Sequence, residues 1–231
     1  MPSPSSRPEE ISPQAIPASM PTPAPSSRSS DHFDGPKTAP AGIEPSWIRQ
    51  PGDQDTTLED NWLFRLRRQR YRSRLSGKTH DFYIIDLASA VHVIALTPDS
   101  EVLLVRQFRA GSEQDSLETP GGLLEPEEDP RAAGARELLE ETGYAGEPAE
   151  LLGTLWSNPS LVTSRISTVL IRNARKIAEA SPDHSEELEV LSVPAADIPN
   201  LILDGTINHA LVVAGLLWWL ALPSSPTAPG G

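Results

Sequence analysis

Short apolar runs rich in β-branched residues alternate with turn signals through the middle of the chain, and this pattern predicts strands. Residues 82–85, 91–96, 166–171 and 188–193 are such runs. Residues 102–105 form another, separated from 91–96 by the turn signal Pro98-Asp99-Ser100. Because a short turn joins these two runs, we expect them to pair with each other as a hairpin.

Two segments follow a helical pattern instead. Pro130 suits a first helical turn, residues 131–141 are rich in Ala, Leu and Glu, and Gly143 suits the left-handed cap that ends a helix. Residues 209–222 form a second helix, apolar on nearly all sides and shorter than the roughly 20 residues that span a membrane. We expect it to pack on the sheet or at a subunit interface. Strands, a helix, more strands and a final helix predict an α+β layered domain.

The second predicted helix carries two adjacent large aromatic side chains, Trp218 and Trp219. Neighbouring positions on a helix point in different directions, so both rings cannot face one core. One of the two is therefore a candidate for a dimer contact.

Both ends of the chain differ in composition from its middle. Residues 1–45 are dominated by Pro, Ser, Ala and Thr, and residues 223–231 by Pro, Ser and Gly. Such segments cannot bury enough apolar surface to offset the entropy of ordering, so we expect two disordered tails. The predicted catalytic domain then covers residues 46–222.

Charge and cysteine usage narrow the function classes. The 231 residues carry a formal net charge of -13 and include no cysteine, which excludes disulfides and thiol catalysis. The acidic balance argues against binding to a nucleic-acid backbone. No apolar leader is visible near the start, so a cytoplasmic location without membrane insertion is expected.

Six arginines between Arg65 and Arg74 broadly alternate with other side chains. The segment invites a nucleic-acid or phosphate interpretation. The same alternation is typical of an edge strand with one face in water, and we favour that interpretation.

The predicted helix that starts at Pro130 gathers like charges. Ala132, Ala135 and Leu139 share one face, and Glu137, Glu140 and Glu141 gather on another at helical spacing. Carboxylates crowded in this way repel one another, whereas a hard divalent cation such as Mg²⁺ takes oxygen ligands and reverses the sign of that energy. The alternative is a solvated acidic helix face.

The whole stretch around this helix resembles the Nudix box. It contains Gly122, Glu128 after five residues and, after seven more, Arg136-Glu137-Leu138-Leu139-Glu140-Glu141-Thr142-Gly143-Tyr144. Only Tyr144 departs from the family pattern, which more often has a bulky aliphatic residue there. The resemblance implies a hydrolase that cleaves nucleoside diphosphates linked to another group, folded as an α/β/α sandwich around a mixed sheet.

The resemblance also implies roles for individual residues. The backbone carbonyl of Gly121 and the carboxylates of Glu137, Glu140 and Glu141 would hold Mg²⁺, with Mn²⁺ as a substitute. Glu137 and Glu141 are the leading ligands and Glu140 assists. Arg136 would orient the neighbouring glutamates, and Glu128 would brace the loop.

A second resemblance lies just before the box. Residues 105–109 and 117–122 resemble the ADP-ribose pyrophosphatase branch, which implies that Arg109 and Glu118 contact the substrate, with Arg106 as a further candidate. The alternatives are a surface ion pair and a loop carboxylate. This branch often builds its pocket from two subunits, so a homodimer is implied.

A proline at position 159, fifteen positions past Tyr144, is also typical of ADP-ribose-type members. The local sequence Asn158-Pro159-Ser160 departs from their commoner Ser-Pro-Gly version, which weakens the case for a strict ADP-ribose preference. Arg165, a little further on, either contacts a phosphate or pairs with an acidic neighbour.

The catalytic base is expected in an acidic loop, residues 182–189, where related enzymes place a glutamate. Glu186 matches best and Glu187 comes next, while the alternative is a loop kept soluble by its charge. The catalytic set is then Glu140, Glu141, Glu186 and Arg136.

These observations predict Mg²⁺-dependent hydrolysis of a nucleoside diphosphate sugar, with ADP-ribose giving AMP and ribose 5-phosphate. The alternatives are hydrolysis of another nucleotide sugar or of a dinucleoside polyphosphate. A non-hydrolysing ADP-ribose sensor is disfavoured because such modules usually lose a glutamate from the box. A further alternative is an interaction protein that docks through its Pro/Ser tail.

Overall fold

The computed structural model of the chain describes residues 44–182 and 187–222. The predicted tails, apart from residues 44 and 45, lie outside these residues, as does Glu186. The described elements, in chain order, are β1 (Trp47–Ile48), β2 (Thr56–Asp60), β3 (Phe64–Ser73), β4 (Thr79–Leu87), β5 (Ala90–Ala95), β6 (Glu101–Arg109), β7 (Gln114–Glu118), β8 (Gly121–Leu123), α1 (Pro130–Thr142), β9 (Tyr144–Ala145), β10 (Glu150–Trp156), β11 (Arg165–Ile171), β12 (Arg175–Lys176), β13 (Glu189–Pro194), α2 (Ile198–Leu203) and α3 (Ala210–Leu220).

The first four strands form a sheet in which β3 pairs with β1, β2 and β4. The edge-strand interpretation of the arginine segment is therefore wrong. Acidic side chains explain how such a strand lies inside a sheet: Arg65 and Arg67 both bind Asp86, and Arg70 binds Asp81. Three of the charges that suggested an exposed edge are thus paired with acids of the neighbouring strand β4.

The central sheet has the strand order β10-β11-β5-β8. Its β11–β5 pair is parallel and its other two pairs are antiparallel, so the sheet is mixed. A third sheet has the order β13-β6-β7. The predicted hairpin between β5 and β6 is wrong, because only one bridge, Leu96 to Val102, joins these strands. β11 pairs along the whole of one edge of β5, β8 pairs with residues 90–92 on the other edge, and β6 pairs with β13 and β7.

Helices cover both faces of the central sheet. On one face, Ala133 and Leu138 of α1 pack against side chains that include Val91, Val93 and Val169. On the other, Val212 and Leu216 of α3 pack with a second cluster that includes Ile94, Leu170 and Ile198. This arrangement confirms the predicted α+β class and the α/β/α layering around a mixed sheet.

Helix α1 begins and ends as predicted. Asp129 caps it by accepting the Arg131 backbone N–H at 2.7 Å, Pro130 opens the first turn, and Gly143 closes it in the left-handed conformation. The face of Ala132, Ala135 and Leu139 is the exposed one. Gly134 faces the sheet instead, because a Cβ at that position would lie 2.5 Å from Val169 Cγ2. The close approach of helix and strand requires the smallest residue at the contact.

Helix α3 packs its tryptophans on two different surfaces. The Trp218 ring lies over Gly153 of β10, where a Cβ would come within 2.5 Å of the ring, and Trp219 packs against the second core cluster. Both rings thus find contacts within the chain, and the predicted dimer contact at one of them stays a prediction. None of the described helices is long and apolar enough to cross a membrane.

Candidate active site

The box glycines and the acidic face of α1 meet at strand β8. Backbone pairing with β5 aligns Gly121 with His92 and Gly122 with Val91. The Gly121 N–H donates to Glu141 Oε2 at 2.9 Å, and Glu141 is only 2% exposed. The strand therefore holds a buried carboxylate against the backbone of the box glycine pair.

Arg136 organises the neighbouring carboxylates. Its guanidinium donates to both oxygens of Glu128 at 3.1 and 3.0 Å, to Glu137 at 2.8 Å and to Glu140 at 3.1 Å. The hydrogen bond to Glu128 is the main reason why the pKa of Arg136 is raised. The same bond lowers the pKa of Glu128, with help from the Glu125 backbone N–H. One cation thus fixes the positions of three box glutamates.

The residues at this site suit a divalent cation. Carboxylates are the ligand type that Mg²⁺ prefers, and Glu137 and Glu141 present them from successive turns of one helix. Gly122 leaves the space that Glu137 occupies, because a Cβ there would lie 2.4 Å from Glu137 Oε1. In residues 44–182 and 187–222, however, no three acidic or histidine side chains form a group able to hold a metal. The fit between these residues and a divalent cation therefore depends on the carboxylate chemistry and on the space at Gly122.

Gly122→Ala should lower turnover while changing stability little. The three atoms nearest to the new methyl group would all belong to the flexible end of Glu137, which can move away, but that movement displaces a predicted metal ligand. We expect kcat to fall by about tenfold to 100-fold, the scale reported for a small misplacement in an active site. The measurements are kcat and the thermal unfolding midpoint.

Gly111→Ala is the matched control, because among the described residues no atom beyond Gly111 and its two chain neighbours lies within 4 Å of the position that its Cβ would take. The kcat and the thermal unfolding midpoint of this control should stay near the wild-type values. Equal turnover in the two alanine variants would show that the space at Gly122 has no role in the site.

The structure brings the predicted substrate residues Arg109 and Glu118 together as one ion pair. Pairing of β6 with β7 places them so that Arg109 Nε and Nη2 donate to the two Glu118 oxygens at 2.8 and 2.7 Å. Glu118 is 4% exposed, and burial alone would raise the pKa of its carboxyl. The hydrogen bonds and charge of Arg109, together with smaller contributions from His209 and Ser116, outweigh burial, so the pKa of Glu118 lies below its ordinary value.

Arg106 lies on the same strand but in a different environment. It pairs with Glu189 across the β6–β13 ladder, and both side chains are exposed. Arg106, Phe108 and Glu187 line a groove of about 550 Å³. Glu187, the second candidate base, is exposed, whereas the first candidate, Glu186, falls outside the described residues.

Arg165 is buried, and it contacts a residue that sequence reasoning did not select. Its guanidinium lies 4.5 Å from the centroid of the Trp156 ring, its register partner on β10. The described residues offer it no ion pair with a carboxylate, so the acidic-neighbour alternative has no partner there. Trp156 also lines a groove of about 470 Å³ with Trp47, Tyr71 and Phe82. Only the strand register could have identified this pair.

A buried histidine on β5 was also missed. His92 Nε2 lies 2.6 Å from Thr168 Oγ1, between the central sheet and α3. Burial lowers the pKa of His92 to about 4, with a contribution from His209, so the ring is neutral at physiological pH. A lone histidine in an apolar strand was the only signal, and it more often marks a satisfied core residue than a ligand.

Comparison with known proteins agrees with the geometry. The NUDIX domain model matches residues 86–215. The chain is 39% identical over 154 residues to an ADP-sugar pyrophosphatase of Mus musculus, which covers 62% of this chain and 70% of that protein. It is 30% identical over 128 residues to an ADP-ribose pyrophosphatase of Bacillus subtilis (strain 168), covering 55% and 69%.

A solved structure shows the same fold. The crystal structure of an ADP compounds hydrolase superposes with a TM-score of 0.65 at 23% identity, covering 75% of this chain and 94% of that one. The domain match includes β8, the whole of α1 and every box position from Gly122 to Tyr144. The chain therefore belongs to the Nudix family of pyrophosphohydrolases.

Proposed function

We propose that this protein hydrolyses the diphosphate link of a nucleoside diphosphate sugar in the presence of Mg²⁺. ADP-ribose is the leading substrate, with AMP and ribose 5-phosphate as products. The main supporting observation is the buried Glu141 carboxylate, bonded to the Gly121 backbone beside the acids that Arg136 organises. The relatives named ADP-sugar and ADP-ribose pyrophosphatase support the choice of substrate class.

The proposed metal ligands are the Gly121 carbonyl and the carboxylates of Glu137, Glu140 and Glu141, with Mn²⁺ as a substitute for Mg²⁺. A bound ion of this kind neutralises phosphate charge and activates water. Arg136 keeps the glutamates oriented. Glu140, with about half of its side chain exposed, is the most accessible of the three acids.

The proposed catalytic set is Glu140, Glu141, Arg136 and the loop glutamate Glu186, with Glu187 as the alternative base. A loop base can approach the substrate as the site closes and withdraw when product leaves. Replacing each loop glutamate by glutamine in turn would identify the base, because only one of the two changes should alter the pH dependence of kcat.

Positive side chains must bring an anionic substrate to a chain whose net charge is -13. The proposed substrate-binding residues are Arg109, Glu118, Arg106 and Arg165. Glu118 enters this set by fixing Arg109, since both of its oxygens already bond that guanidinium. Arg109 keeps nearly half of its side chain exposed and is thus the member of the pair that can reach a phosphate.

Homodimerisation and a cytoplasmic location complete the proposal. Between residues 44 and 87, where the first sheet lies, no apolar side chain is fully buried, and Trp62 is 82% exposed. Apolar surface of this kind is typical of a subunit contact. Sedimentation analysis of the full chain would show a dimer if this sheet associates with a second copy.

The second candidate is hydrolysis of another nucleotide sugar or of a dinucleoside polyphosphate. The sequence Asn158-Pro159-Ser160 favours it, because it departs from the version typical of ADP-ribose enzymes. Both candidates use the same box chemistry and differ only in the substrate that the pocket accepts. The sensor alternative is disfavoured because every box glutamate is present. Deletion of residues 1–45 tests the docking-protein alternative.

Hydrolysis of a substrate panel with Mg²⁺ tests the proposal. The panel contains ADP-ribose, ADP-glucose, GDP-mannose, NADH and diadenosine polyphosphates. We expect the highest kcat/KM for ADP-ribose, with AMP released, and the same values when residues 1–45 are deleted. Faster turnover of another compound would favour the second candidate. Tight binding of ADP-ribose without turnover of any compound would contradict the enzyme assignment.

A further inference from the structure

Arg165 is a buried cation without a counter-charge in the described part of the chain. It is 7% exposed, and its Nε atom is buried with no hydrogen-bond partner among residues 44–182 and 187–222. The Trp156 ring, 4.5 Å from the guanidinium carbon, offers a cation–π contact. Such a contact offsets only part of the cost of burying a charge, which is normally repaid by an anion. A phosphate or carboxylate group of a bound ligand would supply such an anion.

The position of Arg165 connects it with the box site. Along β11, Val169 and Ile171 face α1, and Arg165 lies on the same face because side chains alternate along a strand. Strand β5 separates β11 from β8, which carries Gly121 and Gly122. Two strand spacings amount to about 10 Å. Arg165 thus lies on the face of the acidic cluster, within the length of one nucleoside diphosphate sugar.

Trp156 determines the direction of the guanidinium. It lies on β10, on the far side of β11 from β8, so the stacked guanidinium leans away from the acidic cluster. The same Trp156 ring also lines the aromatic groove described above. Apolar walls exclude water and strengthen electrostatic attraction to an anion.

We propose that Arg165, held by Trp156, forms a phosphate-binding site for the substrate. The inference rests on the proposed function, and it names the chemistry of one part of the pocket. A planar guanidinium matches phosphate oxygens with two parallel hydrogen bonds, which an ammonium group cannot do. The phosphate belongs either to the diphosphate link or to a phosphomonoester elsewhere on the same molecule. Trp156 is the positioning residue.

Binding without turnover tests the site independently of catalysis. Calorimetry of the full chain in EDTA would measure the affinity for ADP-ribose, for 2′-phospho-ADP-ribose and for adenosine, which has no phosphate. Arg165→Met should weaken at least one phosphorylated probe by about tenfold to 100-fold, the range for a lost hydrogen bond to a charged group. Trp156→Leu should weaken the same probe by about three- to 30-fold, and Trp156→Phe by less. Adenosine should bind these variants and the wild type equally.

The two phosphorylated probes distinguish the source of the phosphate. Equal losses for both assign Arg165 to the diphosphate link, and a loss for 2′-phospho-ADP-ribose alone assigns it to a phosphomonoester. Unchanged affinity for both, or an equal loss for adenosine, would overturn the proposal. Arg165→Lys keeps the charge without the planar fork. If the methionine variant does not fold, the lysine variant takes its place in the test and should also bind the same probe more weakly than the wild type does.

Failure of the proposed function would have a different signature. A wild-type chain that binds the phosphorylated probes through Arg165 but hydrolyses none of the panel would leave the phosphate site intact and remove the hydrolase assignment. Turnover that persists in Arg165→Met with an unchanged KM for both phosphorylated compounds would leave the hydrolase assignment intact and remove the phosphate site at Arg165.

Discussion

Glu141→Gln is expected to reduce kcat by on the order of 10³-fold, because metal-ion stabilisation of the transition state is worth several kcal/mol. Glu141 is the most buried of the box acids, and its Oε2 already accepts the Gly121 N–H. Glutamine keeps the size and this acceptor but removes the negative charge that a divalent cation needs. Turnover measured across a Mg²⁺ titration should show both the loss of rate and a weaker metal dependence.

Glu179→Gln is the matched control for this change. The side chain of Glu179 is 91% exposed and, within the described part of the chain, forms an ion pair with Lys176 alone, at 3.1 Å. An exposed pair of this kind contributes little to stability, and it lies outside the proposed site. The control should keep the wild-type kcat and Mg²⁺ dependence. A Glu141→Gln enzyme with turnover close to that of the control would exclude Glu141 as a metal ligand.

Arg136→Met should lower both activity and stability. The change leaves Glu128, Glu137 and Glu140 close together without their shared cation. Because Arg136 is about one-third exposed, water screens part of the repulsion, and we expect a loss of about 1–3 kcal/mol in the free energy of unfolding. We also expect kcat to fall by about 100-fold, since the glutamates lose their common orientation. Chemical denaturation and steady-state kinetics measure the two effects.

The effect of Arg136→Met on the free energy of unfolding should depend on pH. Arg136 holds the folded-state pKa of Glu128 below its unfolded value, so this interaction contributes fully above the unfolded pKa of about 4.3. The contribution is lost as the pH falls through the lower folded-state pKa. The difference in unfolding free energy between wild type and Arg136→Met should therefore be largest near neutral pH and shrink in acid.

Arg172→Met is the control variant for Arg136→Met. Among the residues that the structure describes, Arg172 makes one ion pair, with Glu150 at 2.8 Å, and both side chains are about half-exposed. Its loss should change the free energy of unfolding by less than about 1 kcal/mol, the upper range for surface pairs. Equal destabilisation in the two variants would contradict a special role for the Arg136 network.

Short sequence patterns were enough to predict where individual helices and strands lie. Helix α1 has its proline, its acidic cap and its terminal glycine in adjacent sequence, so its limits could be predicted to within a residue. The apolar runs similarly located β4, β5, β11 and β13. Their partners could not be predicted in this way. The hairpin prediction for β5 and β6 failed because a short turn does not decide which strand edge is free.

The face of each helix or strand that is buried likewise could not be predicted from the local sequence. Helical spacing correctly grouped Ala132, Ala135 and Leu139, yet the face that packs on the sheet is the one with Gly134. Alternation in β3 suggested an exposed edge, whereas acids on the neighbouring strand β4 pair with several of its arginines. Periodicity identifies positions that share a face, but contact distance and counter-charges decide which face is buried.

The sequence by itself determined the family, the helix that carries the acids and the set of glutamates around Arg136, because all of these lie within a few helical turns. Only the tertiary structure decided that Arg109 is bonded to Glu118, that Gly122 makes room for Glu137 and that Arg165 stacks on Trp156. Each of these contacts joins different strands, or a strand to a helix. Strand register and helix packing set such contacts, and both depend on the whole domain rather than on neighbouring residues.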